Sequence, residues 1–303
     1  MVLPRPPRIK VLPPEDPPAE LPVGSTYRAV LRTIPYLLWT FALIPLQAIA
    51  LLFRMRAAER IPMLYHRGCC RMLGLRVKVA GERAPDRPML FIGNHSSYLD
   101  ITVFGSLLPA SFVAKAEIAG WPLFGTLAKL QRSVFVDRRM QSTQRQRDEI
   151  AERLEAGDNL ILFPEGTSND GNAVLPFRSA LLSVAERKIG PEQRPLKLQP
   201  ISIAYTGLNG VPLGYGLRPL VAWYGDMDLA SHLWQLLGLG RIEVKVIFHP
   251  PVTIEAFGSR KALTDHCFRD VAAGVAAAIA GRPQTMPAAP ARGVKPIPQA
   301  TPA

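Results

Sequence analysis

Residues 89–100 read MLFIGNHSSYLD. Met89, Leu90, Phe91 and Ile92 form an uninterrupted apolar run, the pattern of a strand buried on both faces. A polar loop follows, and an apolar stretch over about 98–107 predicts a helix. A buried strand that hands the chain to a helix is the unit from which layered α/β domains are built. His95 falls in the loop at the carboxyl end of that strand, where open α/β sheets place their sites.

Outward from this unit the same alternation continues over about residues 75–280. Short β-branched runs predict strands near 76–80, 89–93, 134–136, 159–163, 199–204, 220–224 and 242–248. Helices are predicted near 98–107, 121–130, 141–156, 178–188, 230–238 and 260–280. In the third of these, Ile150, Ala151 and Leu154 make one apolar stripe and Gly157 stands where a helix stops. The expected architecture is an α/β domain over 75–281, with a central mixed sheet flanked by helices.

Residues 1–24 form a Pro-rich arm, with eight prolines among the first 22 residues, and residues 282–303 a Pro-rich tail; both are expected to be disordered. Between the arm and the domain, residues 25–74 are expected to form a membrane-associated helical segment. Thr33 to Phe53 carries no charge and is bracketed by Arg32 and Arg54. As a helix it reaches roughly 30 Å, enough to span a bilayer. Pro35, Pro45 and Gln47 fit a bent, half-inserted helix equally well, and basic residues on both flanks give no orientation.

The chain carries 36 Lys and Arg against 24 Asp and Glu, a net charge of +12. That balance selects polyanionic partners: nucleic acid, anionic lipid surfaces or acidic carrier proteins. Cys69, Cys70 and Cys267 make no CxxC pair and read as reduced thiols. His66 beside Cys69 and Cys70 matches no standard metal spacing.

On one continuous helix, His95 and Asp100 differ by about 140° and cannot meet. With His95 in the loop and Asp100 in the first turn of a helix capped by Ser97, the carboxylate points back toward the imidazole. It then fixes one tautomer and leaves the other ring nitrogen free as a base. Taken alone, this pattern is also an ordinary Ser-x-x-Asp cap beside an incidental histidine. Two later segments alter the balance. LILFPEGTSNDG (160–171) puts Glu165, Gly166 and Thr167 after a buried strand, in a turn that exposes backbone N–H groups to an anion. SVFVDRR (133–139) ends a strand in Asp137, Arg138 and Arg139, suited to forked phosphate contacts. No G-x-S-x-G elbow occurs, which disfavours a serine hydrolase.

Over roughly residues 75–250 the sequence resembles the glycerolipid acyltransferase family. His95 and Asp100 correspond to its first block, Phe135–Arg138 to its second, Phe163–Thr167 to its third and Pro200–Ile203 to its fourth. Arg132 stands where the second block usually has glycine, and Ser168 where arginine usually follows Glu-Gly-Thr. Both departures are expected to bear on the acceptor. The segment from Glu165 to Leu181 resembles the subgroup of lyso-ornithine lipid O-acyltransferases.

The resemblance implies catalysis by His95 and Asp100, and acceptor binding by Arg138, Glu165, Gly166, Thr167 and Ser168. It implies no metal or bound cofactor. The acyl donor is acyl carrier protein or acyl-CoA, the acceptor a lysolipid, and the setting a membrane with the site facing the cytoplasm, without nucleic acid. Lyso-ornithine lipid is the expected acceptor, with Asp170 available to its ammonium. Lysophosphatidate is the alternative, with Arg138, Arg139 or Arg178 supplying the phosphate contact. A non-enzymatic basic module leaves the four ordered blocks unexplained.

Overall fold

The structure, a computed structural model, describes residues 24–136, 144–190 and 192–282. Nearly all of the Pro-rich arm and tail, together with Asp137, Arg138 and Arg139, lies outside these residues. Two helices, α1 (Thr26–Leu52) and α2 (Ala57–Leu73), lead into β1 (Leu75–Ala80), β2 (Met89–Gly93), α3 (Leu99–Leu107) and β3 (Ser111–Lys115). There follow α4 (Phe124–Leu130), β4 (Val134–Val136), α5 (Gln144–Glu155), β5 (Leu160–Leu162) and a two-strand ladder of β6 (Lys188–Ile189) with β7 (Arg194–Pro195). The chain then forms β8 (Lys197–Leu208), β9 (Val211–Pro212), α6 (Leu229–Gly238), β10 (Ile242–Phe248) and α7 (Arg260–Ile279).

The main sheet runs β1-β10-β8-β2-β5-β3-β4, with β9 on β8. β8, β2, β5, β3 and β4 are parallel, while β10 is antiparallel to β8 and carries β1 with it. The sheet is therefore mixed. β2 sits near its centre, and its side chains alternate between two cores as strand geometry requires. Met89 and Phe91 join Leu99, Phe104, Leu73 and Leu236 on the side of α2, α3 and α6. Leu90 and Ile92 join Ile150, Leu154, Leu263 and Cys267 on the side of α5 and α7. All four are at most 1% exposed, and each such burial contributes about 1.5–3 kcal/mol.

Three expectations need correction. Residues 220–224 are not a strand: a 3-10 turn over Tyr215–Leu220 precedes them, and the Trp223 N–H donates to the carbonyl of Ser96 at 2.9 Å. The run is apolar because it covers the loop after β2, not because it enters the sheet. Ser111–Lys115, unpredicted, supplies β3 between β5 and β4. Residues 179–186 form a 3-10 helix broken at Leu182 in place of the expected α-helix.

The N-terminal helices share the main core. α1 turns Ala29, Thr40, Leu43, Gln47 and Ala50 inward. Trp39 donates its indole N–H to the carbonyl of Tyr65 at 3.1 Å and lies where a side chain at Gly68 would stand. The opposite face exposes Ile34, Leu38, Phe41, Ile49 and Leu52. α1 is long and apolar enough to cross a membrane, and only 22% of its most apolar window is buried. α2 packs on α3 around His66, which burial pushes down to about 4, so the ring is neutral; it bonds Gln131 through Nε2 at 3.0 Å.

A Cβ at Gly105 of α3 would stand 2.3 Å from His66 Cδ2. Gly105→Ala gains helix propensity of at most about 1 kcal/mol, but overpacking costs about 1–3 kcal/mol. The variant is expected to show a lower denaturation midpoint than the wild type. An unchanged or raised midpoint contradicts close packing at this contact.

Candidate active site

Asp100 has no solvent exposure. It lies in the first turn of α3, where a helix N-terminus favours negative charge, but its own contacts do most of the stabilising. Its Oδ2 accepts from the N–H groups of Ser96 (2.7 Å) and Ser97 (2.9 Å) and lies 2.9 Å from His95 Nδ1. Its Oδ1 accepts from the Tyr205 hydroxyl on β8 at 2.7 Å. Burial first, and the charge of Asp100 second, hold the Tyr205 pKa well above its ordinary value, so this phenol stays a donor. The helix begins one residue later than a Ser97 cap predicts: Tyr98 occupies the cap position without a side-chain bond, and the carboxylate of Asp100 caps the loop instead.

With Nδ1 donating to Asp100, His95 Nε2 presents a lone pair and makes no hydrogen bond among the described residues. The ring stacks on Phe163, with centroids 4.2 Å apart and planes inclined by 17°. Its backbone is held as well. The His95 N–H donates to Glu165 Oε1 at 2.6 Å, while Glu165 Oε2 accepts from Asn169 Nδ2 and the Leu175 N–H, both at 2.8 Å. Beyond the end of β2, the amide of Asn94 exchanges hydrogen bonds with the N–H (2.8 Å) and carbonyl (2.9 Å) of Ile203. A side chain thus continues the β2–β8 ladder by one step and fixes where the loop departs.

His95 also lines a cavity of about 230 Å³, and 19% of its side chain remains accessible. The walls are mostly apolar. Leu43 and Ile44 come from α1, Leu99 and Ile101 from α3, Leu127 from α4, and Leu233 and Leu237 from α6. An imidazole beside an apolar cavity suits a reaction at the polar end of a hydrocarbon chain.

Residues 76–204 match the family model described as Acyltransferase. A lyso-ornithine lipid O-acyltransferase of Brucella abortus is 40% identical over 262 residues, covering 85% of this chain and 97% of that protein. The chain belongs to the acyltransferase family. A 1-acyl-sn-glycerol-3-phosphate acyltransferase of Neisseria gonorrhoeae is 28% identical over 73% of this chain and 83% of that protein. The crystal structure of the 1-acyl-sn-glycerophosphate acyltransferase of Thermotoga maritima shares the fold, with a TM-score of 0.58 and 21% identity over 83% of this chain and 97% of that one.

The acyltransferase brings together His95, Asp100 and Glu165, but Glu165 does not open onto the cavity. It is 2% exposed and ties the His95 loop to the 163–175 segment. Gly166 adopts φ 75°, its N–H donates to the Phe163 carbonyl at 3.2 Å, and a Cβ there would stand 3.2 Å from the Arg178 guanidinium. Thr167 is exposed and Ser168 half-buried. Arg138 lies outside the described residues.

Arg132 has φ 60°, which explains a preference for glycine there. Its guanidinium bonds Asp158 at 2.8 Å, just before β5, at the edge of the sheet opposite His95. The structure thus gives Arg132 a structural role in tying the start of β4 to the start of β5. Tyr205, Asn94 and Asn169 were not singled out by the sequence. A lone tyrosine on an apolar strand reads as core, and only strand order brings it to Asp100.

Burial, partly opposed by its three donors, raises the Glu165 carboxyl from 4.5 to about 7. Between these values the folded protein holds a proton that the unfolded chain releases. The Glu165 contribution to stability thus falls as pH rises from about 4.5 to about 7 and levels above that. Glu165→Gln removes this titration and sets an amide N–H₂ against donors. Thermal melts across pH 4.5–8 are expected to show lower midpoints for the variant and a loss of that downward component. An identical pH profile in both proteins rules out the linkage.

Proposed function

We propose that this chain is a membrane lysolipid O-acyltransferase that moves a fatty acyl group from a thioester, acyl carrier protein or acyl-CoA, onto lyso-ornithine lipid to give ornithine lipid. One observation carries the reading: an imidazole fixed at Nδ1 by a buried carboxylate, its Nε2 unengaged, lines an apolar cavity walled in part by the apolar helix α1. Nε2 takes the proton of the acceptor hydroxyl as its oxygen attacks the thioester carbonyl carbon. Asp100 orients the ring and stabilises the imidazolium. Collapse of the tetrahedral intermediate breaks the carbon–sulfur bond, and the departing thiolate takes the proton back from the imidazolium. The products are the ester and the free thiol.

The acceptor assignment rests on the turn after Glu165. Four relatives at 36–40% identity carry the name lyso-ornithine lipid O-acyltransferase. An ornithine headgroup presents both a carboxylate and an ammonium. Arg178 lies against Gly166, and Asp170, four residues on, is anchored through Asn172, so the turn offers one group of each sign. Ser168 does not replace a bidentate guanidinium for phosphate. Arg178 also favours the second reading, lysophosphatidate as acceptor, since a guanidinium beside the turn serves a phosphate equally.

The two faces of α1 support a membrane arrangement. Its inner face packs along the protein from Ala29 to Ala50, so lipid does not surround it. Its outer face carries Ile34, Leu38, Phe41 and Ile49. α1 lies half-embedded, with this stripe in the hydrocarbon and the cavity on its protein side. The site faces the cytoplasm, where thioester donors are made.

His95→Ala is expected to cost about three to four orders of magnitude in turnover with the fold intact, and Asp100→Asn most of the activity through the wrong tautomer. More than a few per cent of the wild-type rate in folded His95→Ala overturns the mechanism. In competition for one labelled donor, lyso-ornithine lipid is expected to outrun lysophosphatidate, and Ser168→Arg to shift selectivity toward phosphate. A clear wild-type preference for lysophosphatidate sinks the acceptor assignment while leaving the acyl-transfer chemistry standing.

A further inference from the structure

Away from the catalytic cavity, a surface cleft of about 700 Å³ is lined by Arg28, Arg32, Arg71, Arg76 and Arg241, with no acidic residue among its lining. Its position follows from the strand pairing. β1 starts at Leu75 beside Ile242, and Ile242 pairs with Leu208 at the end of β8. β8 runs parallel to β2, so the cleft opens at the same edge of the sheet as His95, displaced toward β1.

Two of the arginines are pre-set. Arg28 Nη1 donates to the Gly238 carbonyl at 3.1 Å. Arg32 donates to the carbonyls of Leu237 (3.2 Å), Leu239 (2.8 Å) and Gly240 (3.3 Å). Gly74, at φ 74°, leaves room for this guanidinium, since a Cβ there would stand 2.5 Å from Arg32 Nη2. Arg71, Arg76 and Arg241 are exposed and make no ion pair among the described residues. Glu243, in register with Arg76, pairs with Lys78 at 3.2 Å instead.

We infer that this cleft binds the phosphate of an anionic membrane phospholipid, apart from the acyl acceptor. Five guanidinium groups around a hollow suit a headgroup phosphate by charge and by forked geometry. The neighbouring surface selects a lipid over an acidic protein. Arg28 and Arg32 belong to the same helix as the exposed Tyr27, Val30, Leu31 and Ile34, so seating that apolar stripe in a bilayer brings the cleft to headgroup depth. A negatively charged leaflet then holds the enzyme by this end and sets which edge of the sheet faces the lipid.

The test is partitioning of the full chain onto phosphatidylcholine vesicles, with and without phosphatidylglycerol. The wild type is expected to bind the anionic vesicles more tightly, by a margin that shrinks with added salt. Arg71→Gln/Arg76→Gln/Arg241→Gln, which leaves the α6 contacts in place, is expected to lose about a hundredfold on anionic vesicles, roughly fivefold per arginine. Its binding to neutral vesicles and its activity in detergent micelles stay unchanged. Undiminished binding to anionic vesicles overturns the proposal. So does an equal loss on neutral vesicles, or a raised KM for the acyl donor with unaltered partitioning, which marks a donor dock.

Discussion

A carboxylate cut off from water persists only where donors replace its hydration, and around Asp100 that requirement draws together separate parts of the chain. The N–H groups of Ser96 and Ser97 and the ring of His95 come from the loop after β2, while the hydroxyl of Tyr205 comes from β8, more than a hundred residues later. Tyr205 reaches Asp100 only because β8 lies directly beside β2. The sheet order and the geometry of the His95–Asp100 pair are thus one constraint. A strand inserted between them, or a one-residue slip of β8, turns the phenol away and leaves a buried charge short of a donor.

Glu165 is the second buried carboxylate near His95, and the two divide the histidine between them. Asp100 holds the ring, whereas Glu165 holds the backbone N–H. The phenyl ring of Phe163 beneath the imidazole restricts its tilt. An imidazole fixed by a side-chain bond, a main-chain bond and a stacking face has little freedom left to lose, the pre-organisation that a functional side chain needs.

The central unit was legible because local and tertiary signals agree there. An apolar run with both faces buried, then a polar loop, then an apolar helix, permits little besides β2, His95 and α3. Helical geometry put His95 in the loop, within reach of Asp100, although the assumed Ser97 cap was off by a residue; the pair stood out from an ordinary cap only beside the later segments and the family resemblance. What remained hidden depends on register or contact. Ser111–Lys115 has no marked alternation and becomes a strand because β5 and β4 flank it. Leu220–Tyr224 has strand composition but spends its apolar surface covering Ser96. Glu165 reads as a pocket residue from its turn, and only its three donors reveal that it faces inward. Arg132 reads from the sequence as a departure in a motif, and only its positive φ and its bond to Asp158 reveal a structural reason for it.

α1 is at once an exposed apolar surface and one wall of the cavity. Trp39 against Gly68, Gln47 bonded to the carbonyls of Ala58 and Leu130, and Arg32 on the end of α6 fasten it to the body of the protein. It is therefore not a tether that can be cut away to leave a soluble enzyme. Truncation unroofs the apolar cavity, whereas a form that keeps the cavity with a less apolar exterior needs polar residues on the outward stripe alone, with every inward side chain retained.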